Sequence, residues 1–511
     1  MTEREWREAS DMRRATLSLA AIVIAAATLR FLGIGAGVPY AIGVDEPEVV
    51  NRAVGMMRSG SLNPHFYDYP SLYIYVQLAT AVARFMAGSM AGEWHSLAEV
   101  TSADFYVWGR AVTAALGTLT VLLVFHIGLR WGTRPALLGA GLLAVMPLHV
   151  RESHYILTDV PLTFLVTLTF LLSLRAHEAP TARAFAWAGA AAGLAAATKY
   201  PGGLALLLPL VAVWMTPATQ PSRLAGGLAA TAGAAVAFLL GAPYTVLDLP
   251  AFLDGYARLM GSYTAAPPPE AAWSLYLKHL RNSVQWPGFL LMLGGTVLAL
   301  VRAARGPGRV RWTLAVLFPL VYFWFISRQS LVFGRYLLPL VPFACLLAAA
   351  AVVSGVSLLR RFSIPRALRT ALIAGLTVAT LLPATLTSVS FVRTLRQEGT
   401  AALAHSWIRQ NIPEGSTIVI EAANLVLTHS PYESANVRQL RDREYDHYLE
   451  IGADFLVASS HAYGPYLAAP QVFPREYADY MRLFGQTREV ARFTPSPEHP
   501  GAELRILKVQ P

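Results

Sequence analysis

Residues 158–175 read TDVPLTFLVTLTFLLSLR, an apolar run with an aspartate near one end and an arginine at the other. A helix of about 17 to 25 apolar residues is long enough to cross a bilayer. Comparable runs lie near 15–35, 105–129, 135–150, 184–198, 201–216, 224–242, 287–301, 312–327, 335–353 and 370–390. We therefore predict a polytopic α-helical membrane protein with about eleven transmembrane helices.

The composition excludes the main classes of soluble protein. The chain has 511 residues, of which 55% are hydrophobic and 14% charged, whereas about 25% are charged in an average soluble domain. The net charge of +10 does not indicate nucleic-acid binding, because the arginines lie mainly at the ends of apolar runs, where the positive-inside rule places them. Cys345 is the only cysteine, which excludes a disulfide-linked secreted scaffold.

The arginines also predict an orientation. Clusters precede the first apolar run and recur at 302–311 and 360–369, which places the N-terminus in the cytoplasm. Residues 69–88 are apolar too, but counting them as a span would invert every later loop. We therefore predict a juxtamembrane or re-entrant helix there, on the outer side of the bacterial cytoplasmic membrane. The outer segments at 36–104 and 243–286 are long, and the C-terminus is exported.

The last part of the chain has a different pattern. Short β-branched runs such as STIVIE and ADFLVAS alternate with amphipathic stretches such as PREYADYMRLFG, which favours a small α/β domain. We predict a membrane domain over 1–396, with 36–104 as its first outer loop carrying juxtamembrane helices, and a soluble extracytoplasmic domain over 397–511.

Acidic residues stand at the predicted outer ends of two spans. Residues 43–73, GVDEPEVVNRAVGMMRSGSLNPHFYDYPSLY, place Asp45 and Glu46 directly before a proline, and Asp159 precedes another proline by two residues. Capping of the following helix explains each aspartate about as well as a functional role does. Carboxylates at membrane depth cost about 2.5–3.5 kcal/mol each and commonly mark function. We expect the two aspartates to face one cavity.

Three cations on the predicted outer half depart from the positive-inside trend. Lys199, Arg335 and Arg110 lie near the ends of spans, and His154 lies one turn before Asp159. Snorkelling to the interface is an equal alternative for Lys199, and packing is the more common role for a histidine such as His154. Together with the acids, these side chains predict a cavity for an anionic headgroup, since arginine binds phosphate through two nitrogens.

The ordered motifs VDEPEVVNRA, NPHFYDYPSLY, SHYILTDVPLTF, AATKYPGGLALLLPL and GRYLLPLVPF resemble those of C-type membrane glycosyltransferases. The chain is similar to bacterial relatives of the protein O-mannosyltransferases of glycosyltransferase family 39 and of the lipid A aminoarabinose transferases. The resemblance covers most of residues 30–350. It implies transfer of one sugar from a polyprenyl-phosphate donor on the exported face, with inversion at the anomeric carbon.

The resemblance also implies roles for individual residues. Asp45 matches the catalytic base, Glu46 its partner and Asp159 a second acid near the reacting centre. Lys199 and Arg335 fall in motifs that resemble the region binding the donor phosphate. We further assign Arg110, His65, Tyr67 and His154 to substrate binding. No cofactor is certain, and Asp45 and Asp159 are candidate ligands for a divalent metal, since the family is divided on metal use.

Other functions remain open at this stage. A transporter or flippase of lipid-linked sugar would use the same cations but would need no base. A transferase of whole oligosaccharides usually has a larger outer cavity and further acidic motifs, and a purely structural membrane protein would not need clustered charges. The sugar is open, and a glycolipid, a protein or a glycan could each be the acceptor. We expect membrane lipid, but no nucleic acid, among the partners.

Overall fold

The computed structural model describes residues 3–38, 45–217, 223–264, 270–306, 308–359, 365–421, 425, 427 and 431–510. Parts of three predicted segments lie outside these residues, namely 39–44 of the first outer loop, 265–269 of the second and 360–364 of an arginine cluster. The described residues form two compact units, one within 1–34 and 45–391 and the other within 35–44 and 392–511.

The first unit is built from helices. They are α1 (Glu3–Phe31), α2 (Glu46–Ser59), α3 (Leu72–Met90), α4 (Tyr106–Gly128), α5 (Thr133–Ala144), α6 (Pro147–Glu152), α7 (Asp159–Glu178), α8 (Ala182–Thr198), α9 (Leu207–Trp214), α10 (Arg223–Gly241), α11 (Tyr244–Leu247), α12 (Leu249–Thr264), α13 (Ala272–Arg305), α14 (Arg309–Ile326), α15 (Val341–Leu359) and α16 (Arg366–Leu395). Helix α13 is broken at Gln285, which has a φ of 57°, two residues before Pro287.

The helices confirm a polytopic α-helical membrane protein. In the described part of the chain, eight helical stretches are long and apolar enough to cross a membrane. They overlap α1, α4, α7, α10, α13, α14, α15 and α16. The other three predicted spans are also helical, but α5, α8 and α9 are shorter. The number eleven and the orientation therefore stay predictions, as does the interfacial position of α3, which is not among the eight.

Helices α8 and α10 pack through small residues. A methyl group added at Gly189 or Gly193 of α8 would collide with the backbone of α10 at Ala230 or Ala234. In a membrane there is little hydrophobic force between helices, so close backbone packing through glycine and alanine supplies much of the attraction. The alanine-rich sequence of α8 thus places its C-terminal end firmly in the bundle, directly before Lys199.

Two of the predicted site cations lie where regular helix is interrupted. Lys199 has an extended backbone between α8 and a 3-10 segment, Tyr200–Leu206, and Arg335 lies in the 3-10 segment Gly334–Leu340 before α15. Pro201 and Pro339 lie inside these segments and lack the amide hydrogen that a continuous helix would use. Irregular backbone at membrane depth is tolerated where it is buried in protein or lines a cavity.

The second unit is a small α/β domain, as predicted. Its five strands, β1 (Thr417–Glu421), β2 (Glu433–Val437), β3 (Phe455–Ser459), β4 (Thr487–Phe493) and β5 (Leu504–Val509), have the order β2-β1-β3-β5-β4. β1 pairs in parallel with β2 and β3, and β5 pairs antiparallel with β3 and β4. Its helices are α17 (Thr400–Asn411), α18 (Tyr445–Glu450), α19 (Ser460–Ala468) and α20 (Pro474–Gln486).

Alternation along β1 explains the two hydrophobic layers of this domain. Ile418 and Ile420 pack with Ile408 of α17 on one face of the sheet, whereas Val419 packs with Tyr480 of α20 on the other. Successive strand residues point to opposite faces, so the central residues of a strand that is covered on both sides are apolar. The buried Glu421 at the end of β1 instead accepts hydrogen bonds from the Leu440 and Ser459 amides.

Candidate active site

Two aspartates and two cations from distant parts of the chain form one cluster. The Lys199 Nζ atom lies 2.7 Å from Asp159 Oδ1. The Arg335 guanidinium joins both acids, with Nη2 2.8 Å from Asp45 Oδ2 and Nε 3.6 Å from Asp159 Oδ2. The structure therefore brings together four of the residues that the sequence analysis selected.

Neither aspartate side chain caps its helix. Asp45 directly precedes α2 but makes no side-chain capping bond, and its carboxylate accepts hydrogen bonds from Arg335 and, at 3.3 Å, from the Tyr69 hydroxyl. Asp159 is the first residue of α7, and its carboxylate binds Lys199. The helix-starting prolines position the acids, but the side chains serve the cluster.

Tyrosines surround the lysine. The Lys199 ammonium lies 4.3 Å from the ring centre of Tyr336 and 5.9 Å from that of Tyr69, distances at which a cation is attracted to an aromatic face. The Tyr336 hydroxyl is hydrogen-bonded at 2.9 Å to that of Tyr263 on α12. Lys199 is almost fully buried, whereas the side chains of Asp45 and Arg335 are 23% and 21% exposed. The cluster is thus accessible from the Asp45 side.

Two chambers meet beside this cluster. The polar chamber, of about 500 Å³, is lined by Asp45, Glu48, Arg52, His65, Phe66, Tyr67, Asp68, Tyr69, Gly255 and Arg258. The apolar chamber, of about 360 Å³, is lined mainly by aromatic and aliphatic side chains of α12, α14 and the segment after Lys199, with Lys199 as its cation. Of the residues that the structure describes, only Asp68 and Tyr69 line both chambers.

Glu46 and Arg110 form a separate, fully buried ion pair. The Arg110 guanidinium donates to both carboxylate oxygens of Glu46, at 2.8 and 2.9 Å. The Ile156 amide also donates to Glu46, at 3.0 Å. Arg110 also donates to the Ile34 carbonyl at 2.9 Å. Neither residue lines either chamber. The pair ties α2 and α4 to the turn that leads to Asp159, which is a positioning role; the catalytic role predicted for Glu46 and the substrate binding predicted for Arg110 stay predictions.

The predicted substrate residues His154, Tyr67 and His65 lie in three different settings. Both ring nitrogens of His154 lie about 3 Å from backbone carbonyl oxygens, those of Val150 and Leu32, which favours packing. His65 is exposed, lines the polar chamber and has a φ of 47°. A positive φ is costly for a residue with a side chain, so the surrounding loop must hold it.

Hydrogen bonds to Asp248 stabilise the loop over residues 61–71, which contains His65 and Tyr67. The Tyr67 hydroxyl donates to Asp248 Oδ2 at 3.0 Å, and Asn63 Nδ2 donates to the same oxygen at 2.8 Å. These bonds hold the pKa of Asp248 below its usual value, whereas burial, aided by the bond to Asp248, raises the pKa of Tyr67 to about 12. The Tyr67 hydroxyl is therefore committed to the loop.

Asp45 and Asp159 were also predicted as candidate ligands for a divalent metal. Among the described residues no group of three or more histidine, cysteine or acidic side chains could hold a metal ion. Asp45 and Asp159 share Arg335 as a partner, and Asp159 also binds Lys199. Because both aspartates are paired with cations, their role as metal ligands stays a prediction.

Sequence reasoning missed several residues. Arg30 is fully buried, and its guanidinium donates to the Leu143 and Ala144 carbonyls at the end of α5 and to His149 Nδ1, each within 3.0 Å. An arginine at the predicted outer end of the first span was the available signal. Asp68 lay within a quoted motif but was not selected, because no spacing rule distinguishes it.

Comparisons with known proteins agree with this architecture. Residues 67–253 match a family model described as dolichyl-phosphate-mannose-protein mannosyltransferase. ArnT from Cupriavidus metallidurans bound to undecaprenyl phosphate is 15% identical with a TM-score of 0.57, over 97% of this chain and 99% of that one. The oligosaccharyltransferase AglB from Archaeoglobus fulgidus, in complex with an inhibitory peptide and a dolichol-phosphate, is 13% identical with a TM-score of 0.57, over 92% and 72%.

No curated protein sequence matches the chain. The resemblance to C-type membrane glycosyltransferases is confirmed by the family model and by the shared fold. The family match spans Asp159 and Lys199 but not Asp45 or Arg335.

Proposed function

We propose that this protein is a membrane glycosyltransferase that moves one sugar from a polyprenyl-phosphate donor to an acceptor hydroxyl, with inversion. The main support for this proposal is that an apolar chamber and a polar chamber meet at a cluster of two acids and two cations. A lipid-linked sugar needs such a junction, because its tail is apolar and its sugar is polar.

The cations suit the phosphate of the donor. Lys199 has three ammonium hydrogens, and only one is directed to Asp159. The Arg335 fork likewise retains donors beyond those facing the aspartates. As the bond from the anomeric carbon to the phosphate oxygen breaks, the electron pair stays on the phosphate. Preorganised cations stabilise that developing charge, which is commonly the largest catalytic contribution.

Asp45 is the candidate base. It lines the polar chamber and is the more exposed of the two aspartates. It would accept the proton of the acceptor hydroxyl while that oxygen attacks the anomeric carbon, a contribution of about 10²–10⁴-fold. One base and a departing phosphate complete an inverting displacement without a covalent intermediate. Asp159 would hold Lys199 and Arg335 in place.

The names of similar proteins agree with this chemistry. The matching family model is named for dolichyl-phosphate-mannose as a donor, and two of the similar solved structures hold undecaprenyl phosphate or dolichol-phosphate. We extend the proposal to the exported face of a bacterial inner membrane, with a cytoplasmic N-terminus and an extracytoplasmic C-terminal domain. A glycolipid, a protein or a glycan would supply the acceptor hydroxyl.

Replacement of Asp45 by Asn tests the proposal. The purified variant and wild type would be incubated with a panel of radiolabelled undecaprenyl-phosphate monosaccharides and envelope extract, and label released from the lipid would be counted. We expect wild-type turnover to fall at least about 100-fold in Asp45→Asn. The matched control is Asp254→Asn, an exposed aspartate on α12. Normal turnover by Asp45→Asn would reject the base, and lipid movement without bond cleavage would instead establish a flippase.

A further inference from the structure

Asp68 lies in the wall between the two chambers. Within the described ranges, it and Tyr69 are the only residues that line both. The Tyr69 hydroxyl is engaged with Asp45, and the Tyr69 ring faces the Lys199 ammonium. Asp68 is an exposed residue, and no hydrogen bond to its carboxylate is formed within the part of the chain that the structure describes. The wall thus presents a carboxylate with vacant acceptor positions.

We propose that Asp68 binds the ring hydroxyls of the sugar that the donor carries, and so contributes to the choice of sugar. This inference rests on the proposed function. If the lipid tail occupies the apolar chamber and the acceptor enters the polar one beside Asp45, the bond that breaks must lie at their junction. The transferred sugar then lies against the wall.

The charges around Asp68 suit a neutral polyhydroxylated ligand. Arg52 is held by Glu48 at 2.5 Å and stacks on Phe66 at 3.8 Å, so its guanidinium has partners of its own. Arg258 also lines the polar chamber. The positive charges of these two arginines offset the negative charges of the acidic residues that line the same chamber. The ligand therefore does not need a positively charged group to neutralise Asp68. A carboxylate has two oxygens, each able to accept from a hydroxyl.

The pKa of Asp68 indicates that its carboxylate is only partly solvated. Partial burial raises the pKa of the Asp68 carboxyl, and the nearby Arg52 charge opposes that change. The hydroxyl groups of a sugar would donate hydrogen bonds to the carboxylate in place of the water molecules that the surrounding protein excludes. Hydrogen bonds to a charged group are among the stronger ones in proteins, so discrimination between sugars with and without a hydroxyl at this point is expected.

Binding measurements separate this role from a structural one. Wild type, Asp68→Asn, Asp68→Ala and the control Asp254→Asn would be titrated in detergent with undecaprenyl phosphate alone and with undecaprenyl phosphate carrying one neutral hexose. We expect both Asp68 variants to bind the bare lipid phosphate like wild type. Both should lose about tenfold or more in affinity for the sugar-bearing lipid that wild type prefers, the equivalent of one hydrogen bond to a charged group.

The outcomes distinguish this inference from the proposed function. If wild type prefers a sugar-bearing lipid and both Asp68 variants keep that preference in full, Asp68 does not contact the sugar, while the function stands. If the variants lose affinity for the bare lipid equally, the residue supports the fold instead, and the inference is wrong. If wild type binds no undecaprenyl phosphate at all, the proposed function fails, and the inference with it.

Discussion

The buried pair of Glu46 and Arg110 offers a sharp test of the difference between a catalytic acid and a positioning acid. Glu46 follows Asp45 directly, and the resemblance assigned it to the reaction. In the structure it is 0% exposed and holds the Arg110 fork and the Ile156 amide. The perturbation is Glu46→Gln, which keeps the size of the side chain and removes its charge.

The expected magnitude follows from burial. Removal of one partner from a fully buried ion pair leaves the other charge unpaired, at a cost of about 3–5 kcal/mol. Replacement of both partners by uncharged groups of similar volume is often nearly neutral. We therefore expect Glu46→Gln to lose much of its folded stability, and Glu46→Gln combined with Arg110→Met to recover a large part of it.

Thermal unfolding in detergent, followed by tryptophan fluorescence, would measure stability, and sugar transfer by the folded fraction would measure activity. If Glu46 acts by position alone, the double variant should regain activity along with stability. A Glu46→Gln protein as stable as wild type, with a double variant that folds well and transfers no sugar, would refute this reasoning and return Glu46 to the reaction itself.

Two further predictions concern packing and loop order. Gly193→Val should lower thermal stability by about 1–3 kcal/mol or prevent folding, because its side chain would collide with the α10 backbone; Gly227→Val, at a glycine with open space around it, is the matched control, and equal stability of the two variants would contradict the packing. The bonds that lower the pKa of Asp248 stabilise the 61–71 loop at neutral pH and are lost as pH falls through that lowered pKa. Hydrogen exchange should therefore show this loop opening below about pH 4 in wild type, and already open at neutral pH in Asp248→Ala, which has no acceptor oxygen; equal protection in both would contradict the role of Asp248.

The cluster was predictable in membership but not in pairing. Asp45, Asp159, Lys199 and Arg335 were selected because charges at the outer ends of apolar runs are costly unless they have partners. The same rule selected Arg110, which is bound to Glu46 and lines neither chamber. Sequence position could not separate the two environments, because the distinction depends on which neighbouring helix each side chain meets.

In the α/β domain, too, some elements were predictable from the sequence and others were not. Four of its five strands coincide with the sequence stretches STIVIE, ADFLVAS, TREVARF and AELRILKV, and the helix α20 coincides with the amphipathic stretch PREYADYMRLFG. β2 was missed, since Glu433–Val437 is a largely exposed edge strand with little apolar pattern. Its pairing with β1 supplies the stability that its own sequence does not show.

The amino-acid sequence by itself determined the apolar helices, the strands of the C-terminal domain and the residue types available for phosphate and proton chemistry, because hydrophobic periodicity and the cost of charge in a membrane act locally. Only the tertiary structure decided that Arg335 joins two aspartates, that Glu46 is sealed against Arg110, and that Asp68 stands between an apolar and a polar chamber. Those arrangements depend on contacts between residues far apart in the sequence, 64 positions for Glu46 and Arg110 and 290 for Asp45 and Arg335, and helix packing sets them in ways that no local pattern encodes.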